Sequence, residues 1–196
     1  MLFTKLKKAI GLDIGTHSIK AVQMSRSKGK LFVDEVGYVL VDRNQVNADP
    51  VNAHASAVRE ALRNMAVTQS HLVCALPGQT VVIRYPRLPE SARDNIDTAV
   101  EQEAGHNIPY DLAEVTLDYD VLEEIDEGDQ KQLKVLLVAA KHEIIESRMQ
   151  ILEAADLQCA VLGVDSLAIA DAAEGCDFLR VGETVAIVNI GLTSAS

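Results

Sequence analysis

The chain has 196 residues, of which 48% are hydrophobic, and a formal net charge of −11 at pH 7. This length and apolar content are enough to bury one or two hydrophobic cores, whereas the acidic balance argues against nucleic acid as the main partner, because phosphate backbones require a basic surface. No apolar run approaches the roughly 20 residues of a membrane helix, and residues 1–10 lack the apolar segment of a signal peptide, so we expect a cytoplasmic protein without direct membrane insertion.

The first predicted elements are three strands, in residues 10–14, 18–24 and 31–41, separated by short polar turns. The third strand alternates imperfectly between apolar and polar residues, and its Gly37 indicates a bulge. A helix is predicted from Pro50 to about Met65, because apolar residues recur there at helical spacing. A short buried strand in residues 71–76 completes the order β-β-β-α-β.

The composition changes after this strand, and residues 77–156 are predicted to form a separate α+β unit. Its expected elements are a strand in residues 80–85, a helix in 89–104, strands in 114–124 and 132–140, and a helix in 143–155. The turn in residues 126–129 joins two runs of strand-forming residues, which is typical of a hairpin. Gly105 is well placed to end the helix that precedes it.

The remaining residues return to alternating strands and helices. A strand is predicted in residues 159–164, a helix in 165–173 and a strand in 183–190, followed by a polar turn. The three cysteines, Cys74, Cys159 and Cys176, are widely spaced and form no Cys-x-x-Cys pair, and the histidines show no metal-ligand spacing. We therefore expect reduced cysteines and no zinc site.

The most informative segment is the turn between the first two strands, GLDIGTHSIK in residues 11–20. A turn of small and hydroxyl residues directs backbone N–H groups into one concavity, which suits phosphate oxygens. Asp13 is suited to hold a hydrated Mg²⁺ ion, and Lys20 is suited to neutralise phosphate charge. The alternative is an ordinary β-hairpin, in which the Asp and Gly residues serve only the turn.

A second segment, VAIVNIGLTS in residues 185–194, echoes the first one. An apolar strand again ends in a short polar residue, followed by Ile-Gly and a turn rich in hydroxyl groups. The acidic residue of the first turn is replaced here by Asn189, whose amide oxygen accepts hydrogen bonds but carries no charge. We therefore expect weaker Mg²⁺ binding and slower hydrolysis than two acidic turns would support.

The Asp-x-Gly-x-x-x-x-Lys hairpin and its echo resemble the two phosphate loops of the actin, hexokinase and heat-shock-chaperone ATPase superfamily. The resemblance implies a ribonuclease-H-like (actin-like) α/β subdomain, called 1A, formed by residues 1–76 and 157–196, with ATP and Mg²⁺ as cofactors. It places phosphate and metal-bound water on two groups of residues: Asp13, Gly15, Thr16, His17, Ser18 and Lys20 on one side, and Asn189, Gly191 and Thr193 on the other.

Asp165 admits two interpretations. It precedes an apolar helical stretch, so it is a candidate N-cap residue. In the superfamily a polar residue near this point in the chain orders the attacking water, which implies a catalytic role. Both roles can hold together.

The inserted unit, residues 77–156, resembles the 1C subdomain of the cell-division protein FtsA and the type IV pilus assembly protein PilM. Three segments resemble the PilM family: the opening turn, ALPG (75–78) before VVIR (81–84), and EQE (101–103) with NIPY (107–110). This resemblance implies a cytoplasmic adaptor of a type IV pilus or related secretion platform, held at the inner membrane through its partners. Such an adaptor docks the cytoplasmic N-terminal peptide of a PilN-like inner-membrane protein beside the 1A and 1C subdomains, and self-association is compatible with it.

Other functions remain open at this point. An FtsA-like division protein, a sugar- or acetate-kinase-like phosphotransferase, and an interaction module that has lost nucleotide binding share parts of the pattern. The phosphotransferase would need a catalytic acid and a substrate pocket, and the sequence shows neither clearly. The second nucleotide-binding lobe of the superfamily has no counterpart in these 196 residues, so we expect this chain alone to bind ATP weakly and to be at most a weak ATPase.

Overall fold

The computed structural model describes residues 7–65, 71–128, 130–180 and 182–193. In chain order its elements are β1 (Lys8–Ile14), β2 (Ser18–Ser27), β3 (Lys30–Leu40), α1 (Arg43–Ala48), α2 (Pro50–Arg63), β4 (His71–Leu76), β5 (Val81–Arg84), β6 (Arg87–Pro89), α3 (Ile96–Asn107), β7 (Val115–Glu127), β8 (Gln130–Lys141), α4 (His142–Ala154), β9 (Cys159–Val164) and α5 (Asp165–Gly175). The chain divides into two compact units, which are described separately: Met1–Pro77 with Ser147–Ser196, and Gly78–Glu146.

The first unit is built on a five-stranded sheet in the order β3-β2-β1-β4-β9. β2 is antiparallel to both β1 and β3, whereas β4 is parallel to β1 and β9 is parallel to β4. Because β1, β4 and β9 run in the same direction, their carboxyl ends meet at one edge of the sheet. This arrangement confirms the predicted α/β class with a ribonuclease-H-like, actin-like sheet.

One face of this sheet is covered by helices and forms the core, and we call it the inner face. Ile10, Leu12 and Ile14 alternate along β1 and point to it, where they join a buried cluster with residues of α2 and with Leu152 of α4. α2 begins sharply because the Asp49 side chain accepts a hydrogen bond from the Asn52 amide (3.0 Å) and Pro50 occupies the first turn.

Gly37 serves a different purpose from the one predicted. It pairs regularly with Ala21, and the register shifts elsewhere in β3, at Asp34, because Gln23 pairs with Glu35 and Met24 pairs with Val33. A Cβ atom on Gly37 would lie 2.6 Å from the carbonyl oxygen of Ala61 in α2. Only glycine lets the helix approach the strand this closely, so the bulge prediction at Gly37 was wrong.

The opposite face of the sheet, which we call the outer face, exposes apolar residues of β3. Val33, Val36, Tyr38 and Leu40 are each more than half exposed. The residues of β3 that alternate with these, such as Val39, point to the inner face. They are buried because α2 covers that face.

The second unit contains an antiparallel sheet centred on β8, which pairs with β7 along one side and with β5 and β6 along the other. Leu133, Val135 and Leu137 of β8 are buried against Val100 and Ala104 of α3. The predicted hairpin is therefore present, as is the inserted α+β unit of the predicted fold class.

Two helices differ from the predictions. The predicted helix 89–104 begins as a 3-10 segment at Glu90–Asn95, and α3 then continues through Gly105 to Asn107, so Gly105 does not end it. The helix α1 was not predicted at all. It is short and buries none of its residues, so it lacks the apolar periodicity on which the prediction relied.

The predicted strand in residues 183–190 is a further difference. In the described residues this segment forms no strand, and Ile190 makes a single isolated bridge. Val188 and Ile190 are 69% and 80% exposed. A run of strand-forming residues becomes a strand only when a partner strand supplies hydrogen bonds and cover, and the described sheet offers none along this segment.

Candidate functional site

The candidate site lies at the carboxyl edge of the five-stranded sheet, directly after β1. Parallel strands β1, β4 and β9 all end at this edge. In open α/β sheets the crevice outside the carboxyl ends of parallel strands is the usual place for a ligand. The sheet topology therefore puts the polar turn of residues 15–17, which the sequence predicts to bind phosphate, at the edge where ligands usually bind.

The turn after β1 is tightly closed. The Gly15 amide donates to the Ser18 carbonyl (3.2 Å), which leaves Thr16 and His17 at the tip. The Val41 amide, at the end of β3, donates to the His17 carbonyl (2.8 Å) and anchors the tip to the sheet. The Gly15 N–H is thus engaged within the turn, and the amides of the tip residues are the ones left to face a ligand.

Asp13 and Lys20 face each other across β1 and β2 on the outer face. They are register partners, and the Lys20 Nζ donates to Asp13 Oδ2 at 2.9 Å. Their side chains are 61% and 55% exposed, and exposed ion pairs contribute only about 0–1 kcal/mol to stability. The pair is therefore a weak contributor to the fold, and Lys20 is free to rotate towards an anion.

The second turn contacts the first one through its hydroxyl group. Thr16 Oγ1 and Thr193 Oγ1 are 3.2 Å apart and hydrogen-bonded, although 177 positions separate them in the chain. Asn189 and Gly191 lie exposed in the same segment. The structure thus brings the two predicted turns together through Thr193, even though the strand expected before the second turn is not formed.

The first turn contains two polar side chains that are partly or fully withdrawn from solvent, those of His17 and Ser18. Ser18 is 8% exposed, and within the described residues the buried Nδ1 of His17 has no hydrogen-bond partner. Buried polar atoms in native proteins are nearly always partnered by protein, water or ligand. Together with the paired hydroxyl groups and Lys20, this donor set fits an oxygen-rich anion such as a nucleotide phosphate.

Sequence reasoning missed Arg148. Its Nη1 donates to the Ile14 carbonyl oxygen at 3.0 Å, so a guanidinium group from α4 lies at the foot of the turn. The residues are 134 positions apart. No local pattern could have joined them, because the contact depends on α4 packing under the sheet.

The pKa of the Cys74 thiol depends on its burial and on two charged residues of this edge. Burial raises the pKa of the Cys74 thiol to about 11, while the positive charge of Arg148 lowers that pKa and the negative charge of Asp13 raises it. The cysteine is 2% exposed, in β4 beside Leu12 of β1.

Asp165 is the first residue of α5, and Val164 occupies the N-cap position. The N-cap interpretation of Asp165 was therefore wrong by one position. Since Asp165 directly follows β9, it lies at the same carboxyl edge of the sheet as the end of β1. Its role towards water at this edge stays a prediction.

Comparison with known proteins decides the family. The family described as "Type IV pilus assembly protein PilM" matches residues 11–196. The chain belongs to the PilM family. This match confirms the resemblance to the PilM family that the opening turn and the inserted unit carry.

Two solved structures are similar to the chain. The "PilM-PilN type IV pilus biogenesis complex" is 26% identical, with a TM-score of 0.68, and the match covers 82% of this chain and 48% of that one. The cytoplasmic domain of EpsL, an inner-membrane component of the type II secretion system of Vibrio cholerae, is 14% identical with a TM-score of 0.54, over 82% of this chain and 58% of that one. The second likeness concerns the fold alone.

The chain spans about half the length of the pilus protein that it matches. The fold is actin-like, a class in which nucleotide binding is general. None of the helices in the described part of the chain has the length and apolar character that a membrane span requires.

Proposed function

We propose that the chain is the actin-like, nucleotide-binding part of an adaptor in a type IV pilus or related secretion platform. The main observation that supports a nucleotide site is the hydrogen bond between Thr16 and Thr193 (3.2 Å), which joins the two turns at the carboxyl edge of the sheet. Family membership supports the place of the protein in pilus assembly. The adaptor works at the cytoplasmic side of the inner membrane, to which its partners hold it.

ATP and Mg²⁺ are the proposed ligands of the two turns. Mg²⁺ would neutralise phosphate charge, with Asp13 holding it through water. Lys20, which lies 2.9 Å from Asp13, would rotate to a phosphate oxygen. The remaining phosphate-facing residues are Gly15, Thr16, His17 and Ser18 in the first turn and Asn189, Gly191 and Thr193 in the second.

Nucleotide in this proposal acts mainly as a structural or switching ligand. Asn189 brings no charge to the second turn, so hydrolysis is expected to be slow or unmeasurable. Asp165, at the carboxyl end of β9, is the residue proposed to orient water where hydrolysis does occur. A ligand of this kind shifts the population of conformations by its differential affinity for them.

Isothermal titration of the full-length protein with Mg-ATP tests the site. Lys20→Ala should weaken binding by about tenfold to a hundredfold, because charge-assisted hydrogen bonds contribute about 1.5–3 kcal/mol. Lys8→Ala is the matched control, since Lys8 pairs with Asp34 (3.9 Å) at the opposite end of β1. Equal affinity of the Lys20 and Lys8 variants would contradict the proposed site.

The subdomain assignment is also proposed. Residues 1–76 and 157–196 would form subdomain 1A, and residues 77–156 the 1C-like insert. The compact second unit, Gly78–Glu146, supports an insert of this kind. Most of α4 belongs to the first unit, because Leu152 lies in the core of that unit, so we place the end of the insert at Glu146 and not at residue 156.

The proposed partner is the cytoplasmic N-terminal peptide of a PilN-like inner-membrane protein. The matched PilM structure is a complex with PilN. In the described second unit, β5 pairs with β8 on one side and has no strand on its other side, so an extended peptide could add there through main-chain hydrogen bonds. Arg84, exposed at the end of β5, would attract an acidic side chain of the peptide.

Titration with the synthetic N-terminal peptide of the PilN-like protein tests this docking surface. Arg84→Glu should weaken peptide binding by about tenfold, which corresponds to about 1.4 kcal/mol. Arg93→Glu is the matched control, because Arg93 is in the same unit but pairs with Glu124 of β7. Unchanged binding by the Arg84 variant would rule out the β5 edge.

A second candidate function is an interaction module that has lost nucleotide binding. The neutral Asn189 in the second turn and the exposure of its segment favour it. Peptide binding without any Mg-ATP binding would establish this function. The two turns would then have a structural role only.

A further inference from the structure

Arg148 donates a hydrogen bond to a backbone carbonyl at the end of β1 that neither neighbouring strand reaches. Gly15 and Ser18 form a hydrogen-bonded pair (3.2 Å), so the next antiparallel pair, Ile14 with Ile19, is a non-hydrogen-bonded one. The Ile14 carbonyl therefore points away from β2, towards β4. Since the pairing of β1 with β4 ends at Leu12 and Cys74, the Arg148 guanidinium is the group that meets this carbonyl (3.0 Å).

This contact acts directly on the turn. Ile14 is the last residue of β1, and Gly15 begins the turn whose tip is Thr16 and His17. Arg148 is held in turn by α4, whose Leu152 is 1% exposed in the core of the same unit. The contact thus links the carbonyl one residue before the turn to a helix that is packed into the core.

The contact also leaves a positive charge at the site. The Ile14 carbonyl is a neutral acceptor, so it does not cancel the charge of the guanidinium, whereas Lys20 is already offset by Asp13 at 2.9 Å. The thiol of Cys74, below the turn, is influenced by both Arg148 and Asp13. The guanidinium itself lies at the Ile14 carbonyl (3.0 Å), directly before the turn at which an anion would bind.

We propose that Arg148 is a positioning residue of the phosphate site: it holds the Ile14 carbonyl so that the turn of residues 15–17 is preformed, and its charge favours the bound phosphate groups. This inference rests on the proposed nucleotide function and adds to it a residue from outside the two turns. Arginine suits both tasks because its guanidinium is always charged and donates in a fixed geometry.

The test is Mg-ATP affinity, measured by titration calorimetry on the full-length protein at several salt concentrations. Arg148→Gln should weaken binding by about tenfold (about 1.4 kcal/mol) and reduce its salt dependence, because one positive charge is lost near the phosphates. Arg148→Lys, which keeps the charge, should retain most of the affinity. Arg148→Met keeps the apolar stem of the side chain and replaces the Gln variant if that variant does not fold.

Arg59→Gln is the matched control. The Arg59 Nη1 also donates to a backbone carbonyl, that of Ala154, within the same unit, but it has no contact with the turn among the described hydrogen bonds. This variant should lose thermal stability and keep the Mg-ATP affinity and its salt dependence. An equal loss of affinity in the Arg59 and Arg148 variants would assign the effect to general destabilisation and overturn the inference.

A second readout needs no nucleotide. In a background with the other cysteines replaced by serine, the chemical shift of a ¹³C label on the cysteine Cβ, followed against pH by NMR, reports Cys74 separately from the tyrosines. Arg148→Gln should raise the pKa of Cys74, because a positive charge that favours the thiolate is removed, and Arg148→Lys should raise it less. An unchanged Cys74 pKa in the Gln variant would contradict the charge argument.

The outcomes separate this inference from the proposed function. A wild-type protein that binds no Mg-ATP overturns the nucleotide site and the role of Arg148 with it. A wild-type protein that binds Mg-ATP, with Arg148→Gln binding equally well, overturns the role of Arg148 alone.

Discussion

Two segments of this chain carry nearly the same local pattern and fold differently. The segment around residues 10–18 forms β1 and a closed turn, with Ile10 and Ile14 only 4% and 8% exposed. The segment around residues 185–193 has the same apolar run, polar residue, Ile-Gly pair and hydroxyl turn. In the described structure it forms no strand, and its Ile190 is 80% exposed.

The difference lies in what surrounds each segment. β1 has β2 on one side and β4 on the other, and α2 and α4 cover its inner face. The later segment has an isolated bridge at Ile190 and the hydrogen bond of Thr193 to Thr16. An apolar run therefore shows only that a segment can form a strand. Whether it does so depends on neighbouring strands and helices that pair with it and cover it.

The largest effect on stability is expected from a pair of isoleucine substitutions, one in each segment. Ile19→Ala, at a position with 0% exposure in β2, should lower the free energy of unfolding by about 2–5 kcal/mol, because it opens a cavity in the core. Ile190→Ala should change it by less than about 0.5 kcal/mol, since the side chain is largely exposed. Urea denaturation followed by circular dichroism measures both.

Similar losses in the two isoleucine variants would contradict the described difference. They would mean that the later segment forms a buried strand in solution, with the cover that the sequence pattern predicted.

A smaller effect is expected from restoring the acid in the second turn. Asn189→Asp should strengthen Mg-ATP binding by about fivefold in the full-length protein, because a hydrogen bond to a charged acceptor contributes about 1 kcal/mol more than a neutral one. Asn44→Asp, an exposed substitution in α1 of the same unit, is the control with equal charge. Calorimetric titrations with and without Mg²⁺ would show whether the gain depends on the metal.

No gain for Asn189→Asp over the control would indicate that the second turn does not face the metal. The two turns would then differ in role as well as in fold.

The smallest effect concerns the contact between the turns. In a double-mutant cycle of Thr16→Val and Thr193→Val, the coupling energy in the free energy of unfolding should be about 0.5 kcal/mol, the low end for a net hydrogen bond, because both hydroxyl groups are exposed (3.2 Å). Bound Mg-ATP should increase the coupling if both hydroxyl groups engage the same phosphates. Zero coupling with and without nucleotide would contradict the meeting of the two turns.

Much of the fold was predictable because its signals are local. The strands in residues 71–76 and 159–164 have the predicted bounds, and the register of Asp13 with Lys20 follows from the short turn between their strands. The first hairpin, the hairpin of the inserted unit and the family itself were also identified from residue patterns. The roles of all the candidate site residues stay predictions. For Asn189, Gly191 and Asp165, the sequence also has no local feature that fixes what they face.

The sequence by itself determined the strand–turn–strand of the candidate site, the α/β class and the PilM family, because periodicity, turn chemistry and short motifs act between neighbouring residues. Only the tertiary structure decided that Gly37 accommodates the backbone of Ala61, that Arg148 meets the Ile14 carbonyl 134 positions away, and that the described segment before Thr193 forms one isolated bridge and no strand. Each of these depends on which element packs beside another. Such contacts are set by the burial and hydrogen bonding of the whole unit, and no window of sequence contains them.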